Sequence, residues 1–315
     1  MDGVLIIDKP AGWTSHDVVA RARRVLRERR VGHTGTLDPF ATGVLVLLVG
    51  RATRLAQFLS GAEKEYEATV RLGYATETGD LTGAPRGEKA ACGAWGAEEI
   101  EGALRPLRGE IDQVPPMYSA KKVQGRKLYE LARRGEEIER EAVRVRIIEL
   151  EIMPEEAGAW LRRNVDGTCD LSARVVCSAG TYVRVLAESV GARLGVGAHL
   201  SALRRTRAGA FSVGQSVTLD ELSELAEGGR ASEILIDMNA ALPELPVAHL
   251  TGDEARRVRH GAAVVAPAGA AGWADGASVR MQDAAGRLLA VGGYDSARGH
   301  VRPRVMLAGD EGGGK

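Results

Sequence analysis

The chain opens with a short apolar run, Val4-Leu5-Ile6-Ile7, that ends at Asp8 and has the length of a buried strand. Thr14 and Asp17 stand three apart, the spacing of a helix N-cap with a reciprocal acid. The helix they start would set Val18, Val19, Ala22, Val25 and Leu26 on one face and a cluster of arginines on the other. Val44–Val49, between Gly43 and Gly50, predicts a second buried strand. In Glu65–Leu72 the apolar positions alternate, with Tyr66, Ala68, Val70 and Leu72 to one side, as in a half-buried strand. Residues 73–96 are rich in Gly, Thr and Ala and predict a long surface loop. Helices are expected over Glu98–Leu107, over Lys127–Arg134 and over Thr181–Leu194, the last closed by Gly195; strands are expected over Val143–Ile152 and Leu171–Cys177. The pattern changes after Asp237. Pro243 and Pro246 mark a linker, residues 262–277 read as an Ala/Gly-rich loop, and Val279–Met281, Leu288–Val291 and Val301–Leu307 read as short strands, with Ala285-Gly286 as a turn. The result is an α+β chain: a large domain over 1–245, a small mostly-β domain over 246–308 and a disordered tail over 309–315.

A length of 315 residues fits two domains of about 150 residues or one large domain with an appendage. With 44% hydrophobic residues the chain can bury a sizeable core. No stretch reaches the roughly 18 apolar residues that would span a bilayer, and the N-terminal apolar run lacks the basic leader of a signal peptide. Cys92, Cys169 and Cys177 are odd in number and form no C-x-x-C pair, which points to reduced thiols in a cytoplasmic protein and to no zinc site.

Formal net charge is zero, but the charge is segregated. Residues 21–30 carry six arginines against Glu28 alone, and residues 117–146 carry nine basic side chains against five acidic. Acids crowd the later stretch from Asp220 to Asp237. A neutral protein of this kind can still turn a basic face toward phosphates, although solvated helix faces would give the same pattern.

The segment with the most chemistry is Gly32-His33-Thr34-Gly35-Thr36-Leu37-Asp38-Pro39-Phe40-Ala41-Thr42-Gly43. Pro39 restricts Asp38 to extended backbone angles and so holds one carboxylate on a stiff loop. An ordinary Asp-Pro turn would look the same in isolation. The segment is not a P-loop, since no Gly-Lys-Ser/Thr follows, and it contains no serine nucleophile elbow. The six histidines have no metal-ligand spacing among themselves.

As a whole, Gly32–Gly43 resembles the catalytic motif of the tRNA pseudouridine synthases that modify the T-loop uridine at tRNA position 55. Four further stretches are similar to the same family in the same order. They are Gly3–Pro10; Lys64–Ala68 with Tyr66; Pro116–Lys122 continuing to Gly125–Tyr129; and Gly180–Arg184 followed by Gly197–Leu200 and Leu203–Arg205. The resemblance runs over about residues 1–245. It implies a catalytic domain built on a mixed, mostly antiparallel sheet, with an RNA-contacting insertion at about 115–136. Residues 246–308 bear a weaker likeness to a small RNA-binding β domain of the PUA type. Ala179 stands where relatives often carry lysine.

The resemblance implies that Asp38 is the nucleophile, that Arg184 pairs with it, and that Tyr66 stacks on an extruded uracil. It places His33 in the space the base vacates, makes Tyr182 and Leu203 pocket walls, and gives Lys9 a phosphate. Lys121, Lys122 and Arg126 form its docking surface for the T-arm of tRNA. The reaction needs no cofactor, and a stand-alone monomer is expected. Two other classes remain open to the residues alone: an RNA-binding or RNA-folding protein in which Asp38 is dispensable, and a hydrolase, which lacks a second catalytic carboxylate. Within the leading class, a synthase acting on another RNA is the runner-up.

Overall fold

The computed structural model describes residues 1–119, 121–123, 125–132, 134–154 and 159–308; the expected tail at 309–315 lies outside them. A ten-stranded sheet organises the first two thirds of the chain. Its main path runs Gly3–Lys9, Thr42–Val49, Ala198–Ala208, Lys64–Leu72, Cys169–Cys177, Val143–Ile152, Gly109–Gln113. Every pairing along it is antiparallel except one, the short parallel contact of Thr42 and Gly43 with Arg204 and Arg205. Gly43 is required there. Its φ is +98°, and a Cβ would stand 2.2 Å from the Arg205 carbonyl oxygen.

The period-two pattern of Lys64–Leu72 places Tyr66, Ala68, Val70 and Leu72 in the core, where they meet Leu171, Ala173 and Val175 of the next strand. The helix Val183–Arg193 covers this face with Val183, Leu186, Ala187 and Val190. The helix Ser15–Leu26 covers the other end of the sheet, packing Val18, Val19, Ala22 and Leu26 on Leu5, Ile7, Leu45 and Leu47. Its capping box is formed as the sequence spells it, with Asp17 N–H donating to the Thr14 hydroxyl and Thr14 N–H to the Asp17 carboxylate.

Two expectations change. Residues 73–96 are largely exposed but carry a small two-stranded hairpin, Ala75–Thr76 with Pro85–Arg86, and within its turn, where Leu81 is 52% exposed, Asp80 is buried. The helix expected over Glu98–Leu107 stops at Leu104 and tightens to 3₁₀ over Arg105–Leu107, because Pro106 cannot supply the next helical N–H. Two helices of eight residues or more escape the pattern altogether, Leu219–Glu227 and Gly252–Arg259. The acidic stretch beginning at Asp220 is the first of these; Arg21 of the arginine-rich helix donates to its Ser223.

Strands between Val247 and Met306 form a separate five-stranded sheet with its own core around Val258, Val279, Met281 and Val301. It is docked on the large sheet, not tethered loosely. Leu288, Val291 and Leu307 pack among Val4, Ile6, Val46 and Leu48, while Arg51 and Arg54 donate to the carbonyls of Leu307 and Met306 at 2.8 and 2.6 Å. Among the described residues no helix is long and apolar enough to cross a membrane.

Candidate active site

The loop from Thr34 to Ala41 is fixed from both sides. Ser15 and Leu37 exchange hydrogen bonds through the serine hydroxyl, Gly12 N–H donates to the Pro39 carbonyl at 2.8 Å, and Ala41 N–H closes back on the Asp38 carbonyl. On the opposite side the buried guanidinium of Arg205 donates to the carbonyls of Val44, Gly35 and Thr36. A loop rich in Gly and Thr is thereby held in one place by hydrogen bonds on both sides.

Asp38 projects from this loop into a cavity of about 290 Å³ near the middle of the sheet, lined also by Lys64, Tyr66, Ser119, Lys121, Tyr182, Arg184, Leu203 and Arg205. Its carboxylate meets Arg184 side-on, Nε to Oδ2 at 2.9 Å and Nη2 to Oδ1 at 3.2 Å. The Arg184 side chain is 5% exposed and that of Asp38 31%. The guanidinium has further work: Nη1 donates to the Thr78 carbonyl at 2.7 Å and Nη2 to the Tyr118 carbonyl at 2.8 Å. Burial pushes the Asp38 carboxyl above its ordinary 3.8, Arg184 pulls it back, and the nearby Asp80 pushes it up again. The net direction is upward. The group is a carboxylate whose negative charge is only partly compensated, with one open face toward the cavity.

Asp80 is the partner that sequence reasoning misses. One of its oxygens accepts from the hydroxyls of Thr78 and Thr82 and from Thr82 N–H, and the other lies 3.8 Å from Arg184 Nη1. The signal is present in Thr78-Gly79-Asp80-Leu81-Thr82, where hydroxyls two residues to either side can hold a buried acid. Arg205 and Lys64, which lie in stretches that carry the resemblance without a role of their own in it, also line the cavity. The Lys64 ammonium donates to the carbonyls of Ser60 and Ala62, and burial beside Arg205 lowers it to about 8.

Tyr66 is almost fully buried, and burial outweighs its hydrogen bond with Arg205, so its phenol is pushed above 10. It stays a neutral hydroxyl at physiological pH. Tyr182 stands across the cavity at the start of the Arg184 helix, its backbone clamped by both ends of the Gln113 amide. Leu203 supplies an apolar wall on the strand beside Tyr66. Thus Asp38, Tyr66, Tyr182, Arg184, Leu203 and Lys121 converge.

The other expected residues do not line the cavity. His33 packs edge-on against His16 at 5.7 Å between ring centroids, and its buried Nδ1 has no partner. Arg126 is exposed on a hairpin, Lys122–Val123 with Arg126–Lys127, and the Lys122 side chain lies outside what the structure describes. Lys9 corrects the expectation of a phosphate contact. Its side chain is wholly buried, and its ammonium donates to the carbonyls of Pro10, Trp13 and Pro39, which uses all three donors. It braces the Asp38 loop from below. Burial lowers it to about 8 against the upward pull of Asp38.

The site sets a stiffened carboxylate and a tyrosine around a cavity of about 290 Å³ on a mixed sheet, and the comparisons give the class of protein that carries it. A profile described as TruB family pseudouridylate synthase (N terminal domain) matches residues 23–183, and one described as tRNA pseudouridylate synthase B C-terminal domain matches residues 184–242. The chain belongs to the TruB family. It is 46% identical to a tRNA pseudouridine synthase B of Thermobifida fusca over 98% of this chain and 99% of that one. It is 47% identical to that of Geobacillus thermodenitrificans over 85% and 87%. Among solved structures it resembles a chain of a Cbf5-Nop10-Gar1 complex with a TM-score of 0.72 and 29% identity, covering 97% of this chain and 85% of that one.

Proposed function

We infer that the protein isomerises uridine to pseudouridine in tRNA, with Asp38 as nucleophile. The observation that carries this reading is the Asp38–Arg184 pair, 2.9 and 3.2 Å at its two contacts, opening on a cavity walled by Tyr66. It is joined by relatives that are named tRNA pseudouridine synthase B along almost their whole length.

The reaction breaks the N1–C1′ bond of uridine, turns the uracil and rejoins it through C5. The C5 proton leaves and N1 takes one up, so no electrons are exchanged and no co-reactant is consumed. A carboxylate is a weak nucleophile unless it is ionised and poorly solvated. Burial supplies the second condition at Asp38 and Arg184 preserves the first, since a guanidinium holds its proton throughout the physiological range. The reacting uridine sits inside a folded loop and must be extruded to reach this depth, at a cost of a few kcal/mol. Tyr66 and Leu203 hold the extruded base between an aromatic face and an apolar wall, as splayed-out RNA bases are commonly held. Tyr66, a neutral phenol, orients the base and can relay a proton without becoming a phenolate. Tyr182 closes the far side. His33, at the loop's entrance with an unpartnered Nδ1, fills the space the uracil leaves in the RNA. Lys121, Lys122 and Arg126 approach the phosphates of the T-arm, and the five-stranded sheet of residues 247–306 serves as a PUA-type RNA-binding unit. The likeness of Gly32–Gly43 to the motif of T-loop synthases makes the T-loop uridine, position 55, the favoured target.

The test is tritium release from an unmodified tRNA transcript carrying C5-tritiated uridine, with no added cofactor. One equivalent released per tRNA, mapping to the T-loop, supports the reading. Release elsewhere moves the target to another RNA element, and tight binding without release leaves an RNA-folding protein.

A further inference from the structure

Ser119 is 5% exposed, lines the cavity that holds Asp38, and its Oγ is buried with no hydrogen-bond partner. That arrangement is unfavourable, since a buried hydroxyl without a partner costs about 1–3 kcal/mol. It is not the result of a loose segment. The Tyr118 carbonyl on one side is held by Arg184 Nη2 at 2.8 Å, and the Ser119 carbonyl itself accepts from Tyr129 N–H at 3.1 Å. The hydroxyl is therefore presented on a backbone pinned both to the catalytic guanidinium and to the helix Leu128–Ala132 of the insertion.

Four other polar side chains around the cavity are already committed. Arg184 serves Asp38, Thr78 and Tyr118; Arg205 serves Val44, Gly35 and Thr36; Lys64 serves Ser60 and Ala62; the Thr181 hydroxyl donates to Ser178. An extruded uridine arrives with the reverse problem. O2, N3–H and O4 of its base leave their partners in the RNA and must be bonded again. A serine hydroxyl, one donor and two acceptor positions on a freely turning O–H, can satisfy any of them.

We propose that Ser119 is a substrate-binding residue whose hydroxyl completes its hydrogen bonding on the extruded nucleoside. The proposal rests on the reading of this cavity as the uridine pocket.

Ser119→Ala separates it from a structural role. Deleting an orphaned hydroxyl leaves the melting temperature of the free protein unchanged or raises it, while single-turnover pseudouridine formation falls by roughly 5- to 100-fold. Ser119→Cys, which keeps the shape and weakens the donor, falls between. Binding is compared in the Asp38→Asn background, where uridine is not consumed, using a T-arm stem–loop RNA with either uridine or an abasic nucleotide at the target position. The preference for uridine over the abasic RNA shrinks when Ser119→Ala is added. An unchanged preference, or a lowered melting temperature with full activity, overturns the proposal. The binding arm needs no turnover, so a protein that fails to make pseudouridine on this RNA still tests the role of Ser119.

Discussion

Asp170 and Asp38 are both paired with arginines, and their carboxyls are driven in opposite directions. Asp170, in the middle of the sheet with a fully buried side chain, receives Arg71 at 2.8 and 3.0 Å and Arg162 at 2.7 Å. Burial would raise it, but those hydrogen bonds win and hold it below 3.8. Asp38 has one arginine, which it shares with Asp80 and two carbonyls, and burial wins. A saturated carboxylate is a fastening. An under-saturated one, held beside a cavity, keeps acceptor capacity for whatever enters. The difference lies in the number of donors each oxygen receives and not in the residue pair itself.

The largest effect that separates the two acids comes from exchanging each for its amide. Asp38→Asn lowers pseudouridine formation by at least about 10⁴-fold, whereas Asp170→Asn leaves the chemistry of the folded protein near wild type. In urea denaturation the order reverses: Asp170→Asn loses about 3 kcal/mol, and Asp38→Asn loses none at pH 7. Equal stability losses would erase the distinction.

Next comes Arg184→Lys, which keeps the charge and removes the two-point contact. Activity falls by roughly 10²-fold. Because Asp38 is already raised by burial, loss of hydrogen bonds to its ionised form raises it further, so the acid limb of the single-turnover pH profile moves to higher pH. An acid limb that moves down, or full activity, would show that the two-point contact does not keep Asp38 ionised.

The pH dependence of stability carries opposite signs at the two acids. Asp170, depressed in the fold, contributes stability that is present above 3.8 and lost as pH falls through its lower folded value. Asp38, raised in the fold, costs stability when ionised, and the cost disappears as pH falls through its folded value toward 3.8. Melting curves of the two Asn variants therefore diverge from wild type in opposite senses at pH 7, and both differences narrow on acidification.

Tyr66→Phe is expected to cost about tenfold in rate and Tyr66→Ala about 10³-fold, since only the second removes the aromatic face. Equal losses would contradict a role in stacking. The smallest effect is at the docking surface. Lys121→Ala and Arg126→Ala each weaken tRNA binding and reduce the slope of log affinity against log salt by about one. A salt-independent affinity would mean that these cations do not meet phosphates.

Much of this is legible in the sequence. The strand periods and the Thr14–Asp17 cap point to the large sheet and its first helix, and the Asp38, Tyr66 and Arg184 motifs converge on one cavity. What stays hidden follows a physical pattern. Asp80 lies in a Gly/Thr-rich stretch whose composition suggests exposure, and burial there is enforced by hydroxyl hydrogen bonds that leave no hydrophobic period. Lys9 reads as a phosphate-binding cation because sequence does not show that three carbonyls converge on it. The helix Gly252–Arg259 buries only Ala255 and Val258, too few to register as a stripe, yet its Thr251–Glu254 capping box stands in the sequence. Polar burial is set by tertiary partners, and it is the part that local pattern cannot report.

The most direct test of Asp38 as the nucleophile is to measure pseudouridine formation and tRNA affinity together for wild type and Asp38→Asn on one unmodified tRNA transcript. A nucleophilic Asp38 predicts near-equal affinity, with conversion of one T-loop uridine by wild type and none by the variant. Conversion by Asp38→Asn at a rate within about tenfold of wild type would contradict that role.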